Sequence, residues 1–365
     1  MAKPSPAPAL QPASARAFPC LRLSAASYFE LGCALGQASA AAIRSSLRDR
    51  AEWFIALKDF AEARPAERLD PFLAAAEKYF PRFVEELHGL AQGSGLPFRD
   101  LFILNLNPEL SALRRDPTPA AYDCSTLLYS RRGRILLAHN EDGSNSNRGR
   151  LLLLRARLPK GLVILALVYP GILPGNAPGL NSAGLIHTCN YVAAKSWRPG
   201  IPRYFLDRAA LEAGSLAEAV AVVTHPARAY SQNHNLVSLR ERRALGVEVS
   251  PAKFAVAEVD GIYAHANHFI QAAMQGVLQH EPYLAGSGPR QAVLEQKARL
   301  LEARKKVSGE DLIRALSSHQ GRPHCPCRHP SWASGSTLAA ALVQGRTVRF
   351  FKGNPCQKRS TDYRL

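Results

Sequence analysis

The stretch from Cys124 to Gly171 most narrows the folds open to this chain. It carries "CSTLLYS", "RILLAHNED", "LLLLRARL" and "LVILALVYPG", separated by "RRG", "GSNSNRG" and "PKG". Each run is short, apolar at nearly every position and bounded by turn residues, which predicts a meander of strands. Strands apolar on both faces belong to sheets covered on both faces. "GLNSAGLIHTCNYV" predicts two more strands around an Asn-Ser-Ala-Gly turn. After a helix at about 203–224, strands resume in "NHNLVSL", "KFAVAEVD" and "GIYAHANHF". Helices are predicted at 288–305 and 308–318, and "TLAAALVQGRTVRFF" reads as a closing hairpin.

Ahead of Cys124 the pattern is helical. "ELGCALGQASAAAIRSSLRDRAEWFIALKDFAEA" and "DPFLAAAEKYFPRFVEELHGLAQGSG" space their apolar residues three to four apart. The second starts near Asp70-Pro71 and ends toward Gly93 and Gly95, and "FRDLFILNLNPELSAL" continues the block. "RRDPTPAAYD" then predicts a loop immediately before Cys124. Helices in blocks, without strict βα alternation, disfavour a Rossmann or barrel arrangement. Two packed antiparallel sheets flanked by helices satisfy the pattern, an α+β fold. The pattern divides the chain into a flexible leader at 1–18, a helical segment at 19–123 and a strand-rich segment at 124–365, which the cleavage and resemblance given below make a pro-segment or small fragment and a catalytic fragment.

The formal net charge is +17, with 47% hydrophobic and 21% charged residues. The basic excess is scattered, as in "RRGR", "RERR" and "ARKK", and no nucleic-acid motif accompanies it. No apolar run approaches a membrane span, and residues 1–19 lack the apolar core of a secretory signal. The seven cysteines are odd in number and irregularly spaced, unlike a disulfide framework. These features point to a reducing cytoplasm, with neither nucleic acid nor membrane as partner.

Cleavage of the Asp123–Cys124 bond would place a thiol and an α-amine on one residue. With a pKa near ~8, that amine is able to take the thiol proton, so one residue supplies nucleophile and base. What remains is to orient the amine and to bind an oxyanion. Asn140, Glu141 and Asp142 close the strand that pairs with the Cys124 strand, which places Asp142 to meet the new ammonium. Asn267, in "HANHF", offers an amide donor to the oxyanion, while Arg328 is suited to a carboxylate or to holding the Cys124–Asp142 region. The bland readings are a structural thiol in a strand, an ordinary Asn-Glu-Asp-Gly turn and a strand-end cap. "HCPCRH", residues 324–329, holds two cysteines and two histidines. So tight a Cys-x-Cys, with Pro326 inside and no second ligand cluster, argues against one metal ion, and no metal is assigned.

"DCST", "HNEDGS", "GLNSAGL", "HANHF", "CRHP" and "GNPC", in this order, resemble the acyl-coenzyme A:6-aminopenicillanic-acid acyltransferase family. Its members are cysteine-type N-terminal nucleophile hydrolases, related to penicillin V acylases and bile salt hydrolases. The resemblance runs from about Pro19 to the C-terminus and is most specific from Asp123 onward. It implies a four-layer αββα sandwich with a helical N-terminal segment. It also implies Cys124 as the self-exposed nucleophile, Thr126 assisting processing, Asp142 near the amine and Asn267 at the oxyanion. Asn140, Asn190 and Arg328 are placed as supporting or substrate-binding residues. Asp123 departs from the pattern, since the family's fungal enzyme has glycine there. The activity implied is acyl transfer from an amide or thioester, through acyl-Cys124, to water or an amine. No cofactor is required, and coenzyme A enters only within an acyl donor. The partners expected are a small acyl substrate and, for each self-cleaved fragment, the other fragment. The alternative is a non-catalytic basic binding protein that keeps the fold.

Overall fold

A computed structural model describes residues 9–12, 14–114, 123–332 and 335–365. The chain opens on β1 (Ala9–Gln11), which pairs antiparallel with β2 (Cys20–Ser24). Part of the segment read as a flexible leader is thus an edge strand, too short to show any periodicity. Next comes the helical block: α1 (Tyr28–Asp49), α2 (Ala51–Ala63), α3 (Pro65–Arg68), α4 (Asp70–Tyr79), α5 (Pro81–Ser94), α6 (Phe98–Asn105) and α7 (Asn107–Arg114). The Ser27 hydroxyl starts α1 by accepting the Glu30 N–H at 3.1 Å. The single helix expected from Asp70 is broken between α4 and α5, because Pro81 has no N–H and pushes Phe80 out of the helical region. Gly95, at φ 70°, ends α5. The loop predicted before Cys124 falls on 115–122, outside the described residues.

α1 and α5 pack closely along their length. Gly32 and Gly36 on α1 face Gly89 and Gly93 on α5, and a Cβ at any of the four would collide with the backbone of the other helix. The two small-xxx-small spacings, "GCALG" and "GLAQG", let the helix backbones touch.

The second part begins with the hairpin of β3 (Asp123–Arg131) and β4 (Arg134–Ser144). After it come β5 (Leu152–Arg157), β6 (Val163–Val168), β7 (Gly179–Asn181) and β8 (Leu185–Tyr191). The helix expected over 203–224 is two, α8 (Arg203–Ala210) and α9 (Leu216–Val223), because Gly214 intervenes and the Ser215 hydroxyl caps α9 from Glu218 N. The chain continues through β9 (Gln232–Ser238), β10 (Arg243–Val249), β11 (Phe254–Glu258), β12 (Gly261–His265), α10 (Glu281–Glu302) and α11 (Gly309–Leu316). It closes with β13 (Gly335–Gln344), β14 (Thr347–Lys352) and β15 (Ser360–Arg364). Neither β10 nor β15 is among the strands expected from the sequence. α10 begins at Glu281 instead of 288, because Glu281-Pro282 fills the first turn and Pro289 lies inside the helix.

Among the described residues, the larger sheet has the order β1-β2-β5-β6-β7-β8-β9-β10-β11, and the smaller β12-β3-β4-β13-β14-β15. The β2–β5 pair is parallel, against the expectation of antiparallel sheets, because the chain leaves β2 into the helical block and reaches β5 only after it, with no hairpin between the two strands. The sheets face each other, with β3 against β8 and β10. α10 and α11 cover the outer face of the smaller sheet, while α9, α1 and their partners cover the larger. The layers read helix–sheet–sheet–helix, the expected αββα sandwich. The largest apolar core runs from Leu21 and Leu31 through Leu153 and Leu167 to Phe350, joining both parts of the chain.

Candidate active site

Cys124 is the second residue of β3, and only 5% of its surface is exposed. Antiparallel register places it opposite Glu141 and places Asp123 opposite Asp142. Side chains alternate along both strands. Thr126 and His139 accordingly meet the larger sheet, whereas Asn140 meets α11 and the loop after it.

At the backbone nitrogen of Cys124 the contacts are specific. Its N–H donates to Asn267 Oδ1 at 2.9 Å, and Arg290 Nη1 donates to the same oxygen at 2.7 Å. Asn267 Nδ2 donates to the Tyr191 carbonyl at 2.8 Å. Two donors on one side and an acceptor on the other fix the orientation of this amide. Towards the Cys124 nitrogen, therefore, Asn267 presents its carbonyl oxygen, and one of its two Nδ2 protons is engaged by Tyr191.

Arg290 also donates from Nη1 to the Cys124 carbonyl at 2.6 Å and from Nη2 to Asp123 Oδ1 at 2.9 Å. It lies on α10, is 1% exposed, and was not anticipated from sequence, since nothing local in "GPRQAV" marks it. Arg328 Nη1 bonds the other Asp123 oxygen. Burial works to raise the Asp123 pKa, but the two guanidinium groups hold it below the usual carboxylate value. Arg328 thus does bind a carboxylate, that of the residue preceding Cys124.

Asp142 is fully buried, and neither of its oxygens makes a well-formed hydrogen bond among the described residues. Burial pushes its pKa up to about 7, against the lowering influence of Arg328, Arg290 and Thr337. Burial, reinforced by Glu141 and Asp142, likewise pushes the Cys124 thiol well above its ordinary value. In the intact chain the site is rich in carboxyl groups around a neutral thiol.

On the inter-sheet side, the Cys124 sulfur, a His139 ring nitrogen and a Glu141 oxygen lie within 4.8 Å of one another. His139 Nδ1 is 2.8 Å from Thr126 Oγ1, its Nε2 is 3.2 Å from Glu141, and the Tyr169 hydroxyl donates to Glu141 at 2.9 Å. Thr126 donates to Asn190 Oδ1 at 3.1 Å, which also accepts from Asn233 and Asn235. The strands β8 and β9 thereby bring an amide cluster to the hairpin; of its members, Asn190 alone was anticipated. Asn140 is consumed otherwise, its Nδ2 donating to the carbonyls of Leu316 and Pro326 at 2.9 and 2.8 Å. His139 and Glu141 follow the apolar run Ile135–Ala138 of β4, and Asn233 and Asn235 lie in the polar first half of β9, "QNHN"; runs of polar residues inside buried strands are the signal by which sequence alone marks them.

Two further groups have metal-ligating donors within reach of each other: His187, Asp207 and His234 between sheet and helix, and His319, Cys327, His329 and Cys356 near the surface.

Residues 130–356, more than half of the chain, match the family described as acyl-coenzyme A:6-aminopenicillanic acid acyl-transferase. The chain belongs to this family. The matched span begins just after the "DCST" stretch and covers β4 through β14. Among curated relatives, the β-alanyl-dopamine/carcinine hydrolase of Drosophila melanogaster is 29% identical over 198 residues, covering 49% of this chain and 51% of that protein. The 40 kDa form of acyl-coenzyme A:6-aminopenicillanic-acid acyltransferase from Emericella nidulans is 27% identical over 192 residues, covering 52% of each. The chain spans about half the length of the curated relatives it matches. A solved penicillin V acylase from Agrobacterium tumefaciens aligns with TM-score 0.38 and 13% identity, over 63% of this chain and 82% of that one. Among the described residues of this family member, no helix is long and apolar enough to cross a membrane.

Proposed function

We propose that this family member is a self-processing N-terminal-cysteine amidohydrolase or acyltransferase. The observation that carries the reading is the hydrogen bond from the Cys124 nitrogen to Asn267, beside an Asp142 carboxyl with no well-formed partner. An amide nitrogen becomes an ammonium there on cleavage, and the site already holds an acceptor and a buried acid for it.

In processing, the Cys124 sulfur attacks the Asp123 carbonyl carbon. A C–S bond forms, the C–N bond breaks, and the thiol proton ends on the departing nitrogen. Water then hydrolyses the thioester, leaving an Asp123 carboxylate and a free thiol on Cys124. His139, held by Glu141 and Thr126, is placed to move the thiol proton. Arg290 and Arg328 fix Asp123 through its side chain, so the extra carboxylate is bound rather than left facing the thiol. In turnover the neutral α-amine, oriented by Asn267 Oδ1, takes the thiol proton, and the ammonium so formed is charge-paired with Asp142 until it returns the proton to the leaving group. The thiolate attacks the substrate carbonyl, expels an amine or thiol, and forms acyl-Cys124. The Asn267 Nδ2 proton not used by Tyr191 is available to the oxyanion.

The relatives' names point to two substrate classes, an N-acylated amine and an acyl-coenzyme A thioester. The chemistry draws on no bound cofactor, and coenzyme A enters only as part of an acyl donor. Intact-mass measurement tests the reading. The purified chain should appear as fragments 1–123 and 124–365 without added protease, and Cys124→Ala should remain whole. A wild-type chain that stays intact yet turns over an acyl amide would defeat the proposal. Product partition with and without an amine acceptor then separates hydrolase from transferase.

A further inference from the structure

The stretch "HCPCRH" does not act as a unit. Cys325 donates to the Cys327 carbonyl at 3.1 Å, and its thiol is spent on that bond. Cys327 and His329 instead meet two residues from elsewhere. One is His319, just past the end of α11. The other is Cys356, in the 3-10 turn Pro355–Gln357 that follows β14. The two histidine Nε2 atoms are 3.2 Å apart, and the two sulfurs 3.6 Å apart. His329 Nε2 lies 3.4 Å from the Cys356 sulfur and 3.9 Å from that of Cys327. All four donor atoms lie within 4.8 Å of one another.

A tetrahedral ion with bonds of about 2.3 Å to sulfur and about 2.0–2.1 Å to nitrogen sets these separations. They are roughly 3.8 Å between sulfurs, 3.3 Å between nitrogens and 3.5 Å between unlike donors. Four of the six separations, those given above, agree with these values to within about 0.4 Å, and the other two lie within 4.8 Å.

We propose that His319, Cys327, His329 and Cys356 form a structural zinc site. Four protein donors leave no open position, which marks a closed site rather than a catalytic one, and two thiolates neutralise the ion. The surroundings fit. Asn354 Nδ2 lies 3.4 Å from the Cys327 sulfur, placed to donate to a thiolate. The Trp332 ring packs against both imidazoles, with centroids 5.2 Å from His319 and 4.6 Å from His329. Such partners orient the ligands of a metal site.

Arg328 sits between two of the four ligands. Its N–H donates to Thr337 Oγ1 at 3.0 Å, and its carbonyl accepts from Asn354 at 2.7 Å. The ion would therefore pin the loop that presents Arg328 to Asp123, tying it to the turn after β14. The site stands independently of the catalytic reading.

The test is made on the full chain purified under reducing conditions. Elemental analysis and native mass spectrometry should find one zinc per chain. Cobalt(II) added to chelator-stripped protein should saturate at one equivalent, with tetrahedral visible bands and a thiolate charge-transfer band. His319→Ala and Cys356→Ser should each lower retained zinc by about tenfold or more, whereas Cys325→Ser should keep it. The cobalt titration of the unmutated chain decides the matter even where a variant fails to fold. The proposal is overturned by a metal-free wild type with no cobalt spectrum, by a Cys327–Cys356 disulfide in peptide maps, or by Cys325→Ser losing zinc as fully as Cys356→Ser.

Discussion

Asn267 meets Cys124, the proposed nucleophile, at its nitrogen, and this decides what its removal should do. Its Oδ1 is shared by the Cys124 N–H and Arg290, so Asn267→Ala leaves a buried guanidinium and the amine without their common acceptor. Loss of the proposed oxyanion donor adds to this, and the turnover rate should fall by ~10²–10³ while KM changes far less. Steady-state kinetics on chain already cleaved checks this; near-normal kcat would remove Asn267 from the reaction. Asp142 allows a titration test in the uncleavable Cys124→Ala chain. Its pKa stands at about 7 in the fold against an ordinary value of 3.8, so the folded chain holds the proton more tightly than the unfolded one. That contribution to stability is whole below the unfolded value and is lost as pH rises through about 7. Cys124→Ala/Asp142→Asn lacks this loss. Its calorimetric midpoint, relative to Cys124→Ala, should therefore climb between about pH 4 and pH 8. A constant difference would mean that Asp142 is already ionised in the fold.

At the level of elements, the α1–α5 pair is the most exacting contact in the helical block. A side chain at Gly89 would strike the Phe29 carbonyl and the Cys33 nitrogen, both of them backbone atoms that cannot rotate away. Gly89→Val should destabilise the chain by about 1–3 kcal/mol or more through overpacking, read as a lower denaturant midpoint. An unchanged midpoint would show that the helices separate freely. The β3–β4 hairpin governs reactivity in a similar way. Burial and nearby carboxyls keep the Cys124 thiol neutral in the intact chain, whereas an ammonium on the same residue favours the thiolate. Limiting alkylation near neutral pH should therefore label Cys124 in proportion to cleavage. Peptide maps showing Cys189, Cys325 or Cys327 labelled first would relocate the nucleophile.

For the molecule as a whole, the proposed cleavage point does not coincide with a boundary between folding units. β2 pairs with β5 inside the larger sheet, α1 packs against that sheet, and one apolar core contains residues from both sides of Cys124. Fragments 1–123 and 124–365 should therefore co-elute in size-exclusion chromatography and part only under denaturant. Separation in native buffer would show that the shared core is insufficient to hold them.

The strand runs of 123–168 and the helical block before them were readable because hydrophobic spacing is a local property, set by which faces of each element are covered. The facing of Cys124 by Glu141 and of Asp123 by Asp142 was nearly readable too, since a tight hairpin converts sequence distance into register. Elsewhere local signals fell short. The start of α10 was set at 288 instead of 281, the break at Gly214-Ser215 was overrun, β1 and β15 lack a clear apolar pattern, and β10 was missed although Leu245, Val247 and Val249 alternate along it. Asn267 was found as a residue, yet which end of its amide faces Cys124 depends on Arg290 and Tyr191, both supplied by other elements. Arg290 reaches Asp123 from 167 positions along the chain. His319 and Cys356 meet Cys327 and His329 through the packing of a loop against a turn. Spacing along a chain specifies periodicity and turns; it carries no measure of which distant side chains close a buried charge or complete a ligand set. Those contacts exist because two sheets and their helices pack in one arrangement, and there the chemistry of this protein is assembled.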